Sequence, residues 1–576
     1  MESTIAESPA VSAANIPEQG LLMVAAKALQ DFVLGSDRLR EMIGATQLIE
    51  DFCSTESVAA ITDACDVRSG TFEIVTSAAG QTVIRFDNIA DARRVAAFWP
   101  WMAHRLAPGM EIHLSVQAMD DGSGSYVPAI DKAQRELGLS RNAGHPRDLP
   151  PASPPLMRAR RSGLPAIAYH TFAGEREEVD TVALAKRERR NSLRREARLE
   201  PAGNPIFKAF DFDPEKLPKD LTSLAKSPLT LRNKCDSAGN PISVAARQPC
   251  LAVVHADGNG LGQTFIDLSE ALASLPNQQA IDCFRAFSSD FRQVGLDASK
   301  AAVETLRKIY NDPLPVLPLV LAGDDLRVIL RGELAIPFTE AWLIAFERLT
   351  GNVLADLKAK FPSEAAAIRA TSLSGGAGIA YCSPSDPFVS VYNASERLAK
   401  IAKDNAKKLA EGGPVPSSLA FNRPQGDYDH DFLSDFRDGL RLTGMPYYLS
   451  EHFSKGPTLK HLRDLRLALS EFPSGSLRQL LGELRTRPAA APAWFRRMLK
   501  VLEESLKGNT RETADQKLAA ITNALDSIHG SPNGLWWKPQ EGSEAVRWTA
   551  IPDALAWMGA EPKLPDSEPE PIPNHE

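Results

Sequence analysis

Residues 251–272 read LAVVHADGNGLGQTFIDLSEAL, and residues 315–332 read PVLPLVLAGDDLRVILRG. The first begins with an apolar run, Leu251 to Ala256, of the kind that forms a strand buried on both faces, and then changes to helical spacing. The change falls at Asp257-Gly258-Asn259-Gly260, where glycine permits a tight turn into a helix. The second stretch sets two apolar strands on either side of Gly323-Asp324-Asp325, a hairpin composition. Working outward, Asn277 to Tyr310 and Thr339 to Lys360 read as helices, LSGGAGIAYC (373–382) as a strand, and PFVSVYNASERLAKIAKDNAKKLA (387–410) as a helix. The order is β-α-β-β-α-β, the ferredoxin-like arrangement.

The same order occurs upstream. Leu21 to Ala26 is a buried-strand run that turns helical, and TFEIVTS (71–77) and QTVIRFD (81–87) flank Ala78-Ala79-Gly80 as a hairpin. DARRVAAFWPWMAHRL (91–106) is a helix broken or bent at Pro100, and EIHLSVQA (111–118) is a fourth strand. The fold class expected is α+β: two ferredoxin-like domains with a linker region and a C-terminal helical domain. The boundaries expected are a disordered N-terminus at 1–18, a first domain at 19–180 and a basic linker or helical insert at 181–248. A second domain at 249–412, a helical domain at 413–560 and a disordered, acidic, proline-rich tail at 561–576 complete the chain.

The 576 residues fit three or four domains at about 150 residues each. Lys and Arg number 65 against 73 Asp and Glu, so the net charge of −8 does not advertise nucleic-acid binding. No apolar run reaches the roughly 18 to 20 residues of a membrane span, and MESTIAESPA lacks the basic flank of a secretion signal. A cytoplasmic protein with no membrane association is expected. Six scattered cysteines do not make a disulfide framework. The basic run AKRERRNSLRREAR (185–198) reads as a solvated helix face or a nucleic-acid contact.

Asp257 ends the first strand of the second domain, and Asp324 and Asp325 sit at the tip of its second-to-third hairpin. In this fold the first strand lies beside that hairpin, so the three carboxylates converge on one sheet edge. Hard oxygen ligands of this kind suit Mg²⁺ or Mn²⁺. Two such ions about 4 Å apart activate a hydroxyl and stabilise a leaving pyrophosphate. Gly258, Asn259, Gly260 and Gly262 form a turn whose backbone can approach a triphosphate at a helix N-terminus. Taken singly, Asp257 reads first as a helix N-cap and Asp324-Asp325 as an ordinary hairpin turn. Their occurrence in the right order on apolar strands is what favours chemistry.

DGNGLG and AGDD resemble the DGDNLG-type and GGDD motifs of the catalytic palm domain in the large polymerase/cyclase subunit of type III CRISPR effector complexes. That family is related more distantly to GGDEF diguanylate cyclases and class III nucleotide cyclases. LQDFVLGSDRLREMIGATQLIEDF (29–52) resembles the start of the same subunit's first, non-catalytic palm. Together the similar regions run from about Leu21 to Lys408. The resemblance implies two palm domains, nucleotidyl transfer from ATP to cyclic or linear oligoadenylate-type messengers in antiviral defence, and two Mg²⁺ or Mn²⁺ ions. It implies Asp257, Gly258, Asp324 and Asp325 as metal residues, and Lys403, with Lys407 a turn later, as triphosphate contacts. A lysine on a polar helix face reads equally as a solvated charge. Guide RNA and other CRISPR effector subunits are implied partners, which leaves two other functions open: an effector-complex scaffold with weak or no catalysis, and a stand-alone cyclase.

The chain departs from the family in three places. Ala322 replaces the first glycine of GGDD. In the first copy, the position matching Asp257 falls near Lys27 and Ala28 and the hairpin has no acids, so that copy is expected to be catalytically dead while still able to bind a nucleotide. Little precedes Leu21, so the N-terminal HD nuclease domain is expected to be absent. His430-Asp431 within GDYDHDF reads as a turn or N-cap, and Cys235 with Cys250 resembles only half of a zinc site.

Overall fold

The computed structural model describes residues 18–36, 38–78, 80–119, 125–142, 156–172, 175–199, 205–211, 218–235, 241–244, 250–423, 436–450, 455–506, 511–531, 534–538 and 546–560. Segments 1–17 and 561–576, Ala79 and His430-Asp431 lie outside the described residues.

The first palm begins with β1 (Gln19–Lys27), in which Leu21 to Ala25 are buried. Helices α1 (Leu29–Leu34), α2 (Leu39–Phe52) and α3 (Thr55–Ala64) follow. The hairpin β2 (Phe72–Ala78) and β3 (Gln81–Phe86), helix α4 (Ile89–Leu106), β4 (Glu111–Met119) and α5 (Tyr126–Asn142) complete it. The sheet runs β2-β3-β1-β4 with antiparallel pairs throughout, the ferredoxin-like order. Helix α4 continues through Pro100 because that residue is on the solvent side, while its neighbour Trp99 is fully buried edge-on to Phe52.

Between the palms lie the hairpin β5 (Ala168–Phe172) and β6 (Glu175–Val179), α6 (Thr181–Leu199), α7 (Pro205–Ala209), α8 (Leu221–Ala225) and the pair β7 (Thr230–Cys235) and β8 (Pro241–Ser243). Helix α6 carries the basic run, and its charges do not form the expected solvated face: Lys186, Arg187 and Arg190 are buried. The helix crosses α2 at Gly44, where a Cβ would stand 1.8 Å from the Lys186 carbonyl oxygen. Arg187 sits between Glu41 at 2.5 Å and Glu177 at 2.8 Å, and Arg189 pairs with Asp51. Two of the acids that neutralise the run, Glu41 and Asp51, lie on α2, about 140 residues away in sequence, where a local reading of charge cannot see them.

The second palm comprises β9 (Leu251–Gly258), α9 (Leu261–Leu272), α10 (Asn277–Arg307), β10 (Val316–Ala322), β11 (Asp325–Arg331), α11 (Ala335–Lys360), β12 (Gly375–Cys382) and α12 (Phe388–Ala410). Its core order, β10-β11-β9-β12, repeats that of the first palm. The sheet then continues past residue 412, where a helical domain was expected. Crossover helix α12 delivers β13 (Ser418–Asn422) parallel to β12, and its buried Ser418-Leu419-Ala420-Phe421 is too short to stand out by periodicity. After β14 (Phe436–Arg437) and β15 (Leu440–Arg441), β16 (Tyr447–Tyr448) closes that side of the sheet. Helices α13 (Leu459–Ser470), α14 (Ser474–Thr486), α15 (Ala491–Leu506), α16 (Arg511–His529) and α17 (Ile551–Ala560), with the short β17 (Arg547–Trp548), form the C-terminal part.

The two palms seal each other's sheets. Strand β2 is the outer strand of the first sheet, and its Ile74 and Ser77 carbonyls accept hydrogen bonds from Arg285 (3.3 Å) and Arg292 (3.2 Å) of α10. Strand β10 is the outer strand of the second, and its Leu319 carbonyl accepts one from Thr46 of α2 at 2.5 Å. Among the described residues, no helix is long and apolar enough to cross a membrane.

Candidate functional site

Strand register assembles the site. Leu326 faces Ala256, which sets Asp325 level with Asp257, and on the other side of β9 Asp257 is opposite Gly376 of β12. Alternation places His255, Asp257, Asp325 and Arg327 on one face. Helix α12 covers that face, because Gly378, paired with His255, lies under the α12 backbone, where a Cβ would be 2.1 Å from the Ser395 carbonyl oxygen. Asp324 reaches back from the hairpin to β9: a Cβ on Gly258 would stand 2.9 Å from both its Cβ and its Oδ2.

The carboxylates are crowded. Burial, then the Asp257 charge, raises Asp324 well above the ordinary carboxylate range. Burial raises Asp325 to about 6 despite Arg327, with Asp257 and Glu396 adding to the rise. Asp325 does not share the Asp257–Asp324 space equally. Its Oδ2 is 2.9 Å from Arg327, and its Oδ1 faces His255 Nε2 at 3.5 Å with no hydrogen bond. Burial, then the Arg327 and Lys403 cations, holds His255 down at about 3, so the imidazole is neutral at pH 7.

Lys403 comes off α12 into this space. Its Nζ donates to Asp257 Oδ2 and, at 2.9 Å, to the Gly258 carbonyl oxygen. Its stem lies on Gly376, where a Cβ would be 2.3 Å from Lys403 Cγ. Lys407, one turn on, is exposed. In the turn, Gly260 adopts φ 89° at the N-cap of α9, a conformation glycine takes freely. Gly262 faces open space, with nothing within 4 Å of an added Cβ. Asn259 is buried and clips the turn to the start of β12, its backbone N–H donating to Ser374 O at 2.7 Å and its Nδ2 to Ser374 Oγ at 3.1 Å. It is therefore a brace for the turn, while Gly262 faces the open side.

Asp257, Asp324 and the Gly258 carbonyl offer two carboxylates and one neutral oxygen, a hard donor set able to hold Mg²⁺ or Mn²⁺. Asp324 is crowded by the Asp257 charge, and Asp325 Oδ1 accepts no hydrogen bond, so the acids retain acceptor capacity for a cation. Among the described residues, no cluster of three or more His, Cys, Asp or Glu side chains forms a metal cage. The remaining positions around an ion would fall to water and to a phosphate ligand, the usual pattern for Mg²⁺.

The same register corrects the match in the first palm. There Ala25 pairs with Gln81 as Asp257 pairs with Asp325, and Ala28 is the left-handed N-cap of α1 as Gly260 is of α9. Ala25, not Lys27 or Ala28, thus stands where Asp257 does, and Gly80 stands where Asp324 does. Lys27 instead pairs with Glu111 at 3.2 Å. Cys250 is buried, with its Sγ 3.0 Å from where a Cβ on Gly332 would stand, and Cys235 is exposed.

Sequence reasoning missed His255, Arg327, Glu396 and Gly295. The first two were accessible, since each lies two residues from a chosen aspartate on a strand. Glu396 accepts a hydrogen bond from Gln30 of the first palm at 3.3 Å, a contact across 366 residues that no local pattern encodes. Gly295 of α10 packs under the hairpin, where a Cβ would lie 2.2 Å from the Gly323 carbonyl oxygen.

No protein-family model matches the chain, and no curated protein matches it. Solved structures do match. A Csm1-Csm4 cassette in complex with cA4 aligns over 89% of this chain and 69% of its own, at 13% identity and TM-score 0.45. A cassette in complex with pppApApA aligns over 94% and 69%, at 13% identity and TM-score 0.45. Csm1 of T. onnurineus aligns over 68% and 52%, at 13% identity and TM-score 0.35. The chain is similar, at low identity, to these Csm1 structures.

Proposed function

We propose that this chain is a metal-dependent nucleotidyltransferase whose second palm joins nucleoside triphosphates into cyclic or linear oligonucleotides. The observation that carries the reading is the meeting of Asp257, Asp324 and the Gly258 carbonyl beside a glycine turn that begins a helix. Asp257 and Asp324 would hold Mg²⁺ or Mn²⁺, which when bound lowers the barrier to hydroxyl attack and neutralises the departing pyrophosphate. Gly260 and Gly262 leave the N-terminus of α9 open, so its free N–H groups can receive phosphate oxygens. Arg327 pairs with Asp325 and draws it away from the other two acids, where its charge adds to the field on the metal seat. ATP as substrate, an oligoadenylate product and a setting in antiviral defence rest on the resemblance of DGNGLG and AGDD to type III CRISPR palm motifs.

The nucleic-acid reading of the basic run, which would favour a scaffold, is weakened by the burial of Lys186, Arg187 and Arg190 and by the pairing of Arg187 and Arg189 with α2. The test is incubation of purified protein with each labelled nucleoside triphosphate and Mg²⁺ or Mn²⁺, beside an Asp324→Ala, Asp325→Ala double variant. An oligonucleotide product from the unaltered protein alone supports the reading. A product from both proteins refutes it.

A further inference from the structure

Lys403 occupies the same place that the proposed function gives to a metal ion. Its ammonium binds Asp257 Oδ2 and the Gly258 carbonyl, so it engages two of the three groups available to a cation there, and it bears on the charge of the third, Asp324. Such positioning is built rather than accidental. Gly378 lets α12 lie directly on β12, and Gly376 clears the surface along which the lysine stem runs. A side chain at either position would lift the lysine out of reach.

We infer that Lys403 is a tethered counter-cation that fills the metal seat when no divalent ion is bound, and that it must leave the seat for the ion to be admitted. The inference rests on the metal-site reading above and adds to it a competition within the chain. Without a cation, Asp257 and Asp324 would repel in a half-buried space, and the ammonium relieves that repulsion at no cost in translational freedom. A divalent ion brings twice the charge but must displace a partner already in place, so its affinity for the nucleotide-free protein is reduced. The displaced ammonium is then free beside the open turn at Gly260 and Gly262. A triphosphate there gives it a new anionic partner, so nucleotide and metal assist each other's binding, each by the same factor.

The experiment is Mn²⁺ titration of the nucleotide-free protein, followed by electron paramagnetic resonance of the free ion, for the unaltered chain and for Lys403→Met, Lys403→Gln and Asp257→Asn. Removing the competing ammonium is expected to tighten Mn²⁺ binding roughly tenfold in both lysine variants, the order of a partly buried ion pair. The mutual enhancement between Mn²⁺ and a non-hydrolysable ATP analogue is expected to shrink towards one. Circular dichroism identifies whichever lysine variant is folded. Unchanged or weaker Mn²⁺ binding in the folded lysine variants overturns the inference while leaving the metal site standing. If Asp257→Asn binds Mn²⁺ as the unaltered chain does, the metal-site reading itself fails.

Discussion

Replacing Gly295 by alanine is expected to disable the site while leaving the fold in place. The added methyl would stand 2.2 Å from the Gly323 carbonyl oxygen, 3.2 Å from its carbon and 3.4 Å from Leu321 Cδ1. An ordinary carbon–oxygen contact is about 1 Å longer, so helix and hairpin must separate by about that distance. Overpacking of this kind costs about 1–3 kcal/mol, offset by about 0.5–1 kcal/mol from the better helix propensity of alanine. The net loss is small for a protein of this size, but the displaced group is the turn that carries Asp324. A misplacement of about 1 Å in a reacting constellation costs about a hundredfold in rate. The assay compares nucleotide turnover, Mn²⁺ affinity and thermal unfolding of Gly295→Ala with those of Gly138→Ala, a glycine of α5 with nothing within 4 Å of an added Cβ. Turnover in Gly295→Ala within twofold of the unaltered protein, at unchanged Mn²⁺ affinity, would show that α10 does not set the hairpin and would refute the reasoning.

Gly138→Ala itself is expected to be neutral or to stabilise by about 0.4–1 kcal/mol, read as the urea midpoint, since it only restricts the unfolded chain. Arg187→Ala should destabilise the first palm by about 3–5 kcal/mol, because Glu41 would be left buried without its partner; denaturation of a Glu41→Gln, Arg187→Met variant should recover most of the loss. His529, stacked on Trp537 and hydrogen-bonded through Nδ1 to Gly534 O at 2.9 Å, is held by burial at about 3 against an ordinary 6.5. Its neutral form is favoured in the folded state, so its contribution is complete above pH 6.5 and is lost as pH falls towards 3. The loss amounts to about 2 kcal/mol at pH 5 and at most about 5 kcal/mol in full, at about 1.36 kcal/mol per pH unit. Tryptophan-monitored denaturation at pH 7.5 and pH 5 checks this, and an equal acid slope in His529→Gln would count against it.

Much of the fold was legible because both palms are built from long, strongly patterned elements. Leu251 to Ala256 is buried throughout as read, and the hairpin around Asp324 joins the strands expected of it. What escaped was set by contacts distant in sequence. The α6 charges looked like a surface because two of their partners, Glu41 and Asp51, are on α2, and β13 was absorbed into the expected helical domain because five residues carry too little pattern. The match at Lys27 was displaced by two residues, since only strand pairing reveals that Ala25 holds the equivalent place. At the site, residue types were visible but direction was not. Nothing in AGDD says that Asp324 turns towards Gly258 while Asp325 turns back to Arg327.

The reciprocal cover of β2 by α10 and of β10 by α2 bears on how this protein can be divided. An outer strand with bare carbonyls recruits other strands, and here each guard belongs to the other palm. A fragment carrying only the first palm would present β2 as a template and polymerise through it. Ribosomal synthesis faces the same hazard, because β2 is complete about 200 residues before α10 exists to shield it. The halves are thus bound to one another as folding partners, and a break between them would be paid for in aggregation before any loss of chemistry was noticed.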